Sequence, residues 1–303
     1  MDLNRLTMDL RGCGTAIITP FKGDESLDEV ALRRFIEFQI TGGVDFLVAC
    51  GTTGESVTMS ESERLRVIRM TVEVAKGTKA KVIAGTGSNN TAATIEFTRK
   101  ARECGADAAL VVAPYYNKPT QAGMFAHFSE IAKSVRGLPI MLYNVPGRTS
   151  SNISADTTLK LAEKYENIVA TKEASGNFSQ VMEILTNRPK FFKVFSGDDA
   201  SALPLIALGA DGLVSVCSNE IPKETSKMVE YALSGSFHFA RKIHYKILPL
   251  MEANFIESSP APCKFVMTEM RLLEENLRLP LVAITKETQA RLRAVMKEVG
   301  LSK

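Results

Sequence analysis

The 303-residue sequence contains only three histidines, and none of them stands in a pattern that supports catalysis. His127, His238 and His244 fall in stretches of helical periodicity, without an H-x-x-x-H pair or other metal-ligand spacing. A zinc centre and a Ser-His-Asp mechanism are therefore disfavoured. Lysine and tyrosine chemistry is left as the main catalytic option.

Cysteines are also few, and their distribution argues against a disulfide framework. The count of five is odd, the spacings are wide and no C-x-x-C pair occurs, which indicates a reducing compartment. Residues 1–11 contain no apolar signal-peptide core, and no window reaches the roughly 20 apolar residues that span a bilayer. We therefore expect a cytoplasmic protein that does not enter a membrane.

Charge of one sign is not concentrated anywhere in the chain. The 37 basic and 34 acidic residues give a net charge of +3 and form no like-charged block. Because a nucleic-acid-binding face normally shows a basic stripe, no nucleic-acid partner is expected. Small anionic substrates are not excluded, since one or two well-placed cations are enough to bind them.

Short apolar, β-branched runs recur along the chain, separated by amphipathic segments of helical periodicity. Their continuous apolar character is typical of strands buried on both faces, as in a parallel sheet. One of the helical segments opens with a capping-box pair, Ser60 and Glu63. The eight runs are 13–19, 44–50, 82–87, 108–114, 140–144, 168–172, 192–196 and 212–216.

This alternation predicts an α/β fold, a (β/α)8 TIM barrel with a C-terminal helical extension. A doubly wound dinucleotide-binding fold fits less well, because the nearest match to G-x-G-x-x-G, at 85–87, lacks the third glycine. After residue 216 the strand signals stop, and the pattern is helical with one break at 259–262. We therefore divide the chain into a barrel that carries the active site, residues 1–222, and a C-terminal α-helical region, residues 223–303.

Polar residues collect at the carboxyl ends of the predicted strands, where barrel enzymes carry their chemistry. The loop 51–56 contains two glycines and the neighbouring Thr52 and Thr53. Its N–H groups and hydroxyls could cradle a carboxylate or a phosphate. An ordinary glycine turn explains the same residues equally well.

Tyrosines and an arginine follow the fourth and fifth predicted strands. Tyr115 and Tyr116 stand between two prolines, and Tyr143 lies near the end of the fifth strand. Such tyrosines serve as proton donors or as packing rings with an exposed hydroxyl. Arg148 follows a Pro-Gly turn, where it can hold a carboxylate as a fork or remain a solvated loop charge.

Lys172 is the most informative residue of the chain. It ends the apolar sixth strand, which is not where surface lysines lie. Lysines that are removed from water in this way form Schiff bases with carbonyl substrates. Asp198 and Asp199 follow the seventh strand and are interpreted as helix caps in preference to metal ligands, so no metal site is expected.

Taken together, these motifs resemble the dihydrodipicolinate synthase family, within the superfamily of pyruvate-dependent class I aldolases and lyases that includes N-acetylneuraminate lyase. The resemblance extends from about residue 15 to residue 262. It implies a Schiff-base lyase that needs no metal and no organic cofactor. The matching motifs are GTTGES at 51–56, PYYNKP at 114–119, YNVPGRT at 143–149, KEASG at 172–176 and SGDD at 196–199.

The resemblance implies catalytic roles for four residues. Lys172 would form an imine with pyruvate, and Tyr143 would transfer protons beside it. Thr53 would link Tyr143 to Tyr116, which in the family reaches in from a neighbouring subunit. A homotetramer, built as a dimer of dimers with Tyr116 crossing the dimer interface, is therefore expected.

The resemblance also implies the substrate contacts. Thr52 and Thr53 would hold the pyruvate carboxylate, and Arg148 would hold the carboxylate of the second substrate, L-aspartate 4-semialdehyde. Gly197 and Val214 would line the pocket through their backbone. The expected product is 4-hydroxy-tetrahydrodipicolinate, which belongs to lysine and diaminopimelate biosynthesis.

Two other functions remain open. A lyase for N-acetylneuraminate or a 2-keto-3-deoxy sugar acid belongs to the same superfamily, although Arg148 favours the semialdehyde. A non-catalytic keto-acid-binding barrel is disfavoured because all four predicted catalytic residues are present.

Inhibition by lysine is expected to be weak or absent. Lysine-inhibited members of the enteric type carry histidines where this chain has Glu61 and Arg64, and a glutamate where it has Ala93. The effector site would therefore be rebuilt in this chain. Strong inhibition by low lysine concentrations in an activity assay would contradict this expectation.

Overall fold

A computed structural model describes residues 10–301 and shows a closed barrel of eight parallel strands. The strands lie in sequence order around the barrel, and β1 pairs with β8 to close it. The predicted (β/α)8 architecture is thus confirmed. The strands are β1 (Gly12–Ala16), β2 (Phe46–Ala49), β3 (Lys81–Gly85), β4 (Ala108–Val112), β5 (Ile140–Asn144), β6 (Ile168–Glu173), β7 (Lys193–Ser196) and β8 (Gly212–Ser215).

Helices follow each strand and surround the barrel, as the sequence periodicity predicts. The loop after β5 holds an additional four-residue helix where the sequence indicated a Pro-Gly turn. The helices are α1 (Glu29–Thr41), α2 (Glu61–Ala75), α3 (Thr91–Glu103), α4 (Gln121–Ser134), α5 (Pro146–Thr149), α6 (Ala155–Lys164), α7 (Phe178–Asn187), α8 (Ala202–Ala207), α9 (Pro222–Leu233), α10 (Phe237–Ala253), α11 (Ala261–Glu269) and α12 (Lys286–Val299).

Side-chain caps define where several of these helices begin. At α2 the predicted capping box is present: the Ser60 hydroxyl accepts from the N–H of Glu63, and the Glu63 carboxylate accepts from the N–H of Ser60. Thr120 and Ser154 cap α4 and α6 from one side only, because each hydroxyl accepts from an N–H of the first helical turn. Each cap satisfies N–H groups that have no partner within the helix, and so places the loop before it.

The interior of the barrel is packed with apolar side chains. Phe46 and Phe195 meet there edge to face, with ring centroids 5.4 Å apart. Gly14 of β1 leaves room for this pair, because a Cβ at that position would lie 1.9 Å from the Phe46 ring. The barrel is therefore a solid core that supports a site at one rim.

The C-terminal helices pack on the outside of the barrel, against β1 and α8. One apolar cluster combines Cys13 of β1 and Leu203 of α8 with Leu250 of α10 and Leu292 of α12. α9 packs between α8 and β1 and is the helix that follows β8. The division of the chain into two regions at residue 222 remains a prediction. Residues from both regions contribute to this apolar cluster.

The C-terminal region contains a second long non-helical stretch, residues 270–285, where the sequence pattern predicted uninterrupted helix. Pro280 lies within it, and a proline removes the N–H that a helix interior needs. The segment instead makes its hydrogen bonds with loops of the barrel: the Arg278 side chain donates to the carbonyls of Glu25 and Thr58. Helical periodicity alone does not reveal such contacts.

The absence of a signal-peptide core was predicted for residues 1–11, of which residues 1–9 lie outside the described residues. Between residues 10 and 301, no helix combines the length and the apolar character needed to cross a bilayer.

Candidate active site

Lys172 and Tyr143 lie side by side at the carboxyl end of the barrel. Lys172 of β6 pairs in register with Tyr143 of β5 on one side and with Phe195 of β7 on the other. Its side chain is buried, and Nζ lies 4.3 Å from the centroid of the Tyr143 ring. None of the acidic side chains in the described part of the chain forms an ion pair with it.

A register shift between β5 and β6 brings these two side chains together. Ile140 pairs with Ile168, but Met141 pairs with Ala170, so Val169 is an extra residue in β6. Successive side chains of a strand point to opposite faces, and a slip of one residue exchanges the faces. The extra residue therefore turns Lys172 to the same face as Tyr143.

Gly197 leaves the space that the Lys172 side chain occupies. It directly follows β7, and a Cβ at this position would lie 2.9 Å from Cε of Lys172 and 2.7 Å from Cβ of Ala174. Any larger residue would push the lysine from its place. Gly197 thus contributes by the absence of a side chain, in addition to the backbone role implied for it.

The loop 51–56 forms a second wall of the site. Thr53 is buried and Thr52 is exposed. Gly54 lets the loop approach β1 closely, because a Cβ there would lie 2.9 Å from the carbonyl oxygen of Ile17. Among residues 10–301, the N–H groups of Thr52 and Thr53 have no hydrogen-bond acceptor, which leaves them available to an anionic ligand.

A cavity of about 490 Å³ opens between this loop and the ends of β3, β4 and β5. Thr52, Tyr143 and Arg148 line it together with Tyr115 and Arg64, so two arginines face the same space. Arg148 is exposed, on the short helix α5. Lys172, which is not among the lining residues, adjoins the cavity through its contact with the Tyr143 ring.

Tyr116 lies apart from the other predicted catalytic residues. It is 88% exposed, and its backbone has a φ of 69°, an uncommon conformation for a residue with a side chain. In the chain between residues 10 and 301, no hydrogen bond joins Thr53 to Tyr143 or to Tyr116. A single chain thus brings together Lys172, Tyr143 and the threonine loop, but not Tyr116.

Val214 and the two aspartates, Asp198 and Asp199, lie in the barrel interior and in the loop next to the site. Val214 is buried in the barrel interior with Tyr143 and Phe195. The Asp199 carboxylate accepts hydrogen bonds from Ser215 Oγ and the N–H of Val216, and burial raises its pKa.

Both aspartates accept hydrogen bonds from backbone N–H groups. Asp198 accepts from the N–H of Ser201 at 2.8 Å, in the manner of a cap. Within the described residues, no group of three or more His, Cys, Asp and Glu side chains is arranged to bind a metal ion. Both carboxylates therefore order the loops after β7 and β8.

Glu173 and Asn144 are structurally important residues that sequence reasoning missed. Glu173 is buried, which raises its pKa, and its carboxylate accepts from the Asn144 amide at 3.0 Å and from Gln180 at 3.2 Å. Asn144 also donates to Asn152 and accepts from the N–H of Ile153. The strand end that carries Lys172 is thereby tied to the segment that carries Arg148. Polar residues at the ends of apolar strands were the available signal.

Of the three residues considered for lysine regulation, Arg64 faces the same cavity. Arg64 lines it and stacks on Phe97, with Cζ 3.9 Å from the ring centroid. Glu61 pairs with Lys100 at 2.7 Å, and Ala93 is exposed. Weak inhibition by lysine remains a prediction.

Comparison with known proteins assigns the chain to a family. Residues 9–299 match the Dihydrodipicolinate synthetase family. The chain belongs to this family. The 4-hydroxy-tetrahydrodipicolinate synthase of Koribacter versatilis (strain Ellin345) is 52% identical over 297 residues, which cover 98% of both proteins.

Solved structures of the family share the fold. Dihydrodipicolinate synthase from Aquifex aeolicus is 44% identical, with a TM-score of 0.94 over 96% of this chain and 99% of that one. A monomeric dihydrodipicolinate synthase variant is 40% identical, also with a TM-score of 0.94, over 96% of this chain and 97% of that one. The resemblance drawn from the five sequence motifs is thus confirmed, whereas the roles of individual residues remain predictions.

Substitution of Gly197 tests whether the space beside Lys172 matters. Gly197→Ala should lower kcat by roughly 10- to 100-fold, because small displacements of a reacting group carry large rate penalties. Gly147→Ala is the matched control, since its Cβ would meet nothing within 4 Å. The kcat of each folded variant is measured by steady-state kinetics. A kcat of Gly197→Ala equal to that of Gly147→Ala would contradict this role of Gly197.

Proposed function

We propose that this chain condenses pyruvate with L-aspartate 4-semialdehyde to 4-hydroxy-tetrahydrodipicolinate through a Schiff base on Lys172. The observation that carries the proposal is the buried Lys172 amine on the Tyr143 ring, which lines one cavity together with a loop that has two free N–H groups. A buried amine without a carboxylate partner is a nucleophile for a ketone. Free N–H groups beside it suit the carboxylate of a keto acid.

The first half of the reaction forms an imine and then an enamine. The N–H groups of Thr52 and Thr53 hold the pyruvate carboxylate, so that the ketone carbon faces the Lys172 amine. Attack of the amine and loss of water give the imine, with Tyr143 passing protons to the departing oxygen. The protonated imine accepts electrons, and the pyruvate methyl group loses a proton to become the enamine.

The second half builds the product and releases the lysine. The enamine carbon attacks the aldehyde carbon of the semialdehyde, whose carboxylate Arg148 binds at the cavity rim. The amino group of the semialdehyde then attacks the imine carbon and displaces the Lys172 amine, which closes the ring. Both substrates and the chain supply all the atoms and electrons, so this route uses no metal and no organic cofactor.

Arg148 distinguishes this function from the sugar-acid lyases of the superfamily. Arg148→Ala should raise the KM for the semialdehyde by roughly 10- to 100-fold, because a charge-assisted fork to its carboxylate is lost, and should leave the pyruvate KM nearly unchanged. Arg241→Ala, on an exposed face of α10, is the control. Both KM values are obtained from product formation, which is monitored by mass spectrometry. Turnover of N-acetylneuraminate in place of the semialdehyde would overturn the proposal.

We also propose a homotetramer in which Tyr116 completes the site of a neighbouring subunit. Its exposure of 88%, and the lack of a hydrogen bond to Thr53 within residues 10–301, support a role outside its own chain. A positive φ at a tyrosine is a strained conformation of the kind that persists at functional sites. A cytoplasmic location remains a prediction of the sequence.

Mixing two inactive variants tests the shared site. Subunits with Tyr116→Phe retain Lys172, and subunits with Lys172→Ala supply Tyr116, so a mixed dimer holds one intact site. After subunit exchange, activity should return to about a quarter of the wild-type value, since half of random dimers are mixed.

A control mixture tests whether the recovered activity requires Lys172. Lys172→Ala mixed with the double variant Lys172→Ala/Tyr116→Phe should stay inactive, because no subunit retains the lysine. Mixed dimers verified by native mass spectrometry that recover no activity would contradict the crossing of Tyr116.

A further inference from the structure

A fully buried ion pair joins the threonine loop to the C-terminal helices. The carboxylate of Glu55, the fifth residue of the loop 51–56, contacts the ammonium group of Lys264 in α11, and both side chains have zero exposure. Lys264 also donates to the carbonyl oxygen of Asn276 at 2.8 Å and lies 4.4 Å from the centroid of the Phe21 ring. Burial lowers the pKa of Lys264, and the facing Glu55 opposes that shift.

Arg278 extends the connection from the segment 270–285. Its N–H donates to the second carboxylate oxygen of Glu55 at 3.2 Å. Its guanidinium forms an ion pair with Glu63 at 2.5 Å, at the start of α2, and stacks on Phe21. Both carboxylate oxygens of Glu55 thus face groups from the C-terminal region.

This connection acts on the part of the loop that carries the free N–H groups. Glu55 donates its own N–H to the carbonyl oxygen of Thr52 at 3.1 Å, which closes a turn around Thr53. Two non-glycine residues at either end of this turn have a left-handed backbone conformation. They are Cys50, with a φ of 58°, and Glu55, with a φ of 52°. Such conformations persist only where the surrounding contacts impose them.

We propose that Glu55 and Lys264 are positioning residues for the keto-acid carboxylate: their buried contact holds the turn that presents the N–H groups of Thr52 and Thr53. The inference rests on the proposed function. It gives the C-terminal helices an indirect part in substrate affinity, through a contact between residues more than 200 positions apart in the sequence. Neither residue touches the substrate.

Three variants test the pair: Glu55→Gln, Lys264→Met and the double variant. Each single change leaves a buried charge or dipole without its partner and should loosen the turn. We expect the pyruvate KM to rise at least about tenfold in each single variant, with the semialdehyde KM within about twofold of wild type. The double variant should show no larger rise than either single one, because both residues act through one contact.

Borohydride trapping at increasing pyruvate concentrations separates positioning from chemistry. The half-saturating pyruvate concentration should rise in the variants, while the trapped fraction at saturation stays that of the wild type. Lys133→Met is the control, because it breaks an exposed ion pair with Glu130 on α4, away from the loop. If the wild type shows no trapped adduct, the proposed function itself is contradicted, independently of the results for the variants.

Glu55→Asp keeps the inference testable if the single variants fail to fold. It retains the charge but withdraws the carboxylate by one methylene, so a folded protein with a raised pyruvate KM is expected. Unchanged pyruvate dependence in any folded variant would overturn the inference. Equal loss of affinity for both substrates, accompanied by a lowered melting temperature, would also overturn it, since that pattern indicates general destabilisation.

Discussion

The hydrogen-bond register between β5 and β6 is the constraint on which the site depends. Without the extra residue at Val169, Tyr143 would pair with Thr171, and Lys172 would face the helices outside the barrel. The closed barrel permits no later adjustment, because each strand is paired on both sides. One additional residue in one strand therefore decides whether the lysine meets the tyrosine.

Packing around the lysine follows from the same closure. The solid interior below the site excludes water, and Gly197 leaves room for an aliphatic chain where any other residue would collide with it. Polar groups that hold the rim lie one layer further out: Glu173 and Asn144 tie two strand ends together, and Asp199 orders the loop after β8. Strands of the barrel thus carry Lys172 and Tyr143, and buried hydrogen bonds orient the loops between the strands and helices.

Much of this arrangement could be predicted from the sequence, for physical reasons. Buried parallel strands read as continuous apolar runs, and the carboxyl-end rule for barrels then picks out Lys172, Tyr143 and the threonine loop. The bulge at Val169 could not be predicted, because the run 168–170 is apolar in either register. The pairing of Glu55 with Lys264 joins residues far apart in the chain, and neither periodicity nor turn chemistry reports such a contact. The contact proposed for Tyr116 involves a second chain, which one sequence does not describe.

Reduction with borohydride in the presence of pyruvate tests the central claim most directly. The trapped protein is examined by intact mass and then by peptide mapping. A single adduct with the mass of reduced pyruvate, located on Lys172, is the predicted result. An adduct on another lysine, or none at saturating pyruvate, would contradict the assignment of Lys172 as the residue that forms the Schiff base.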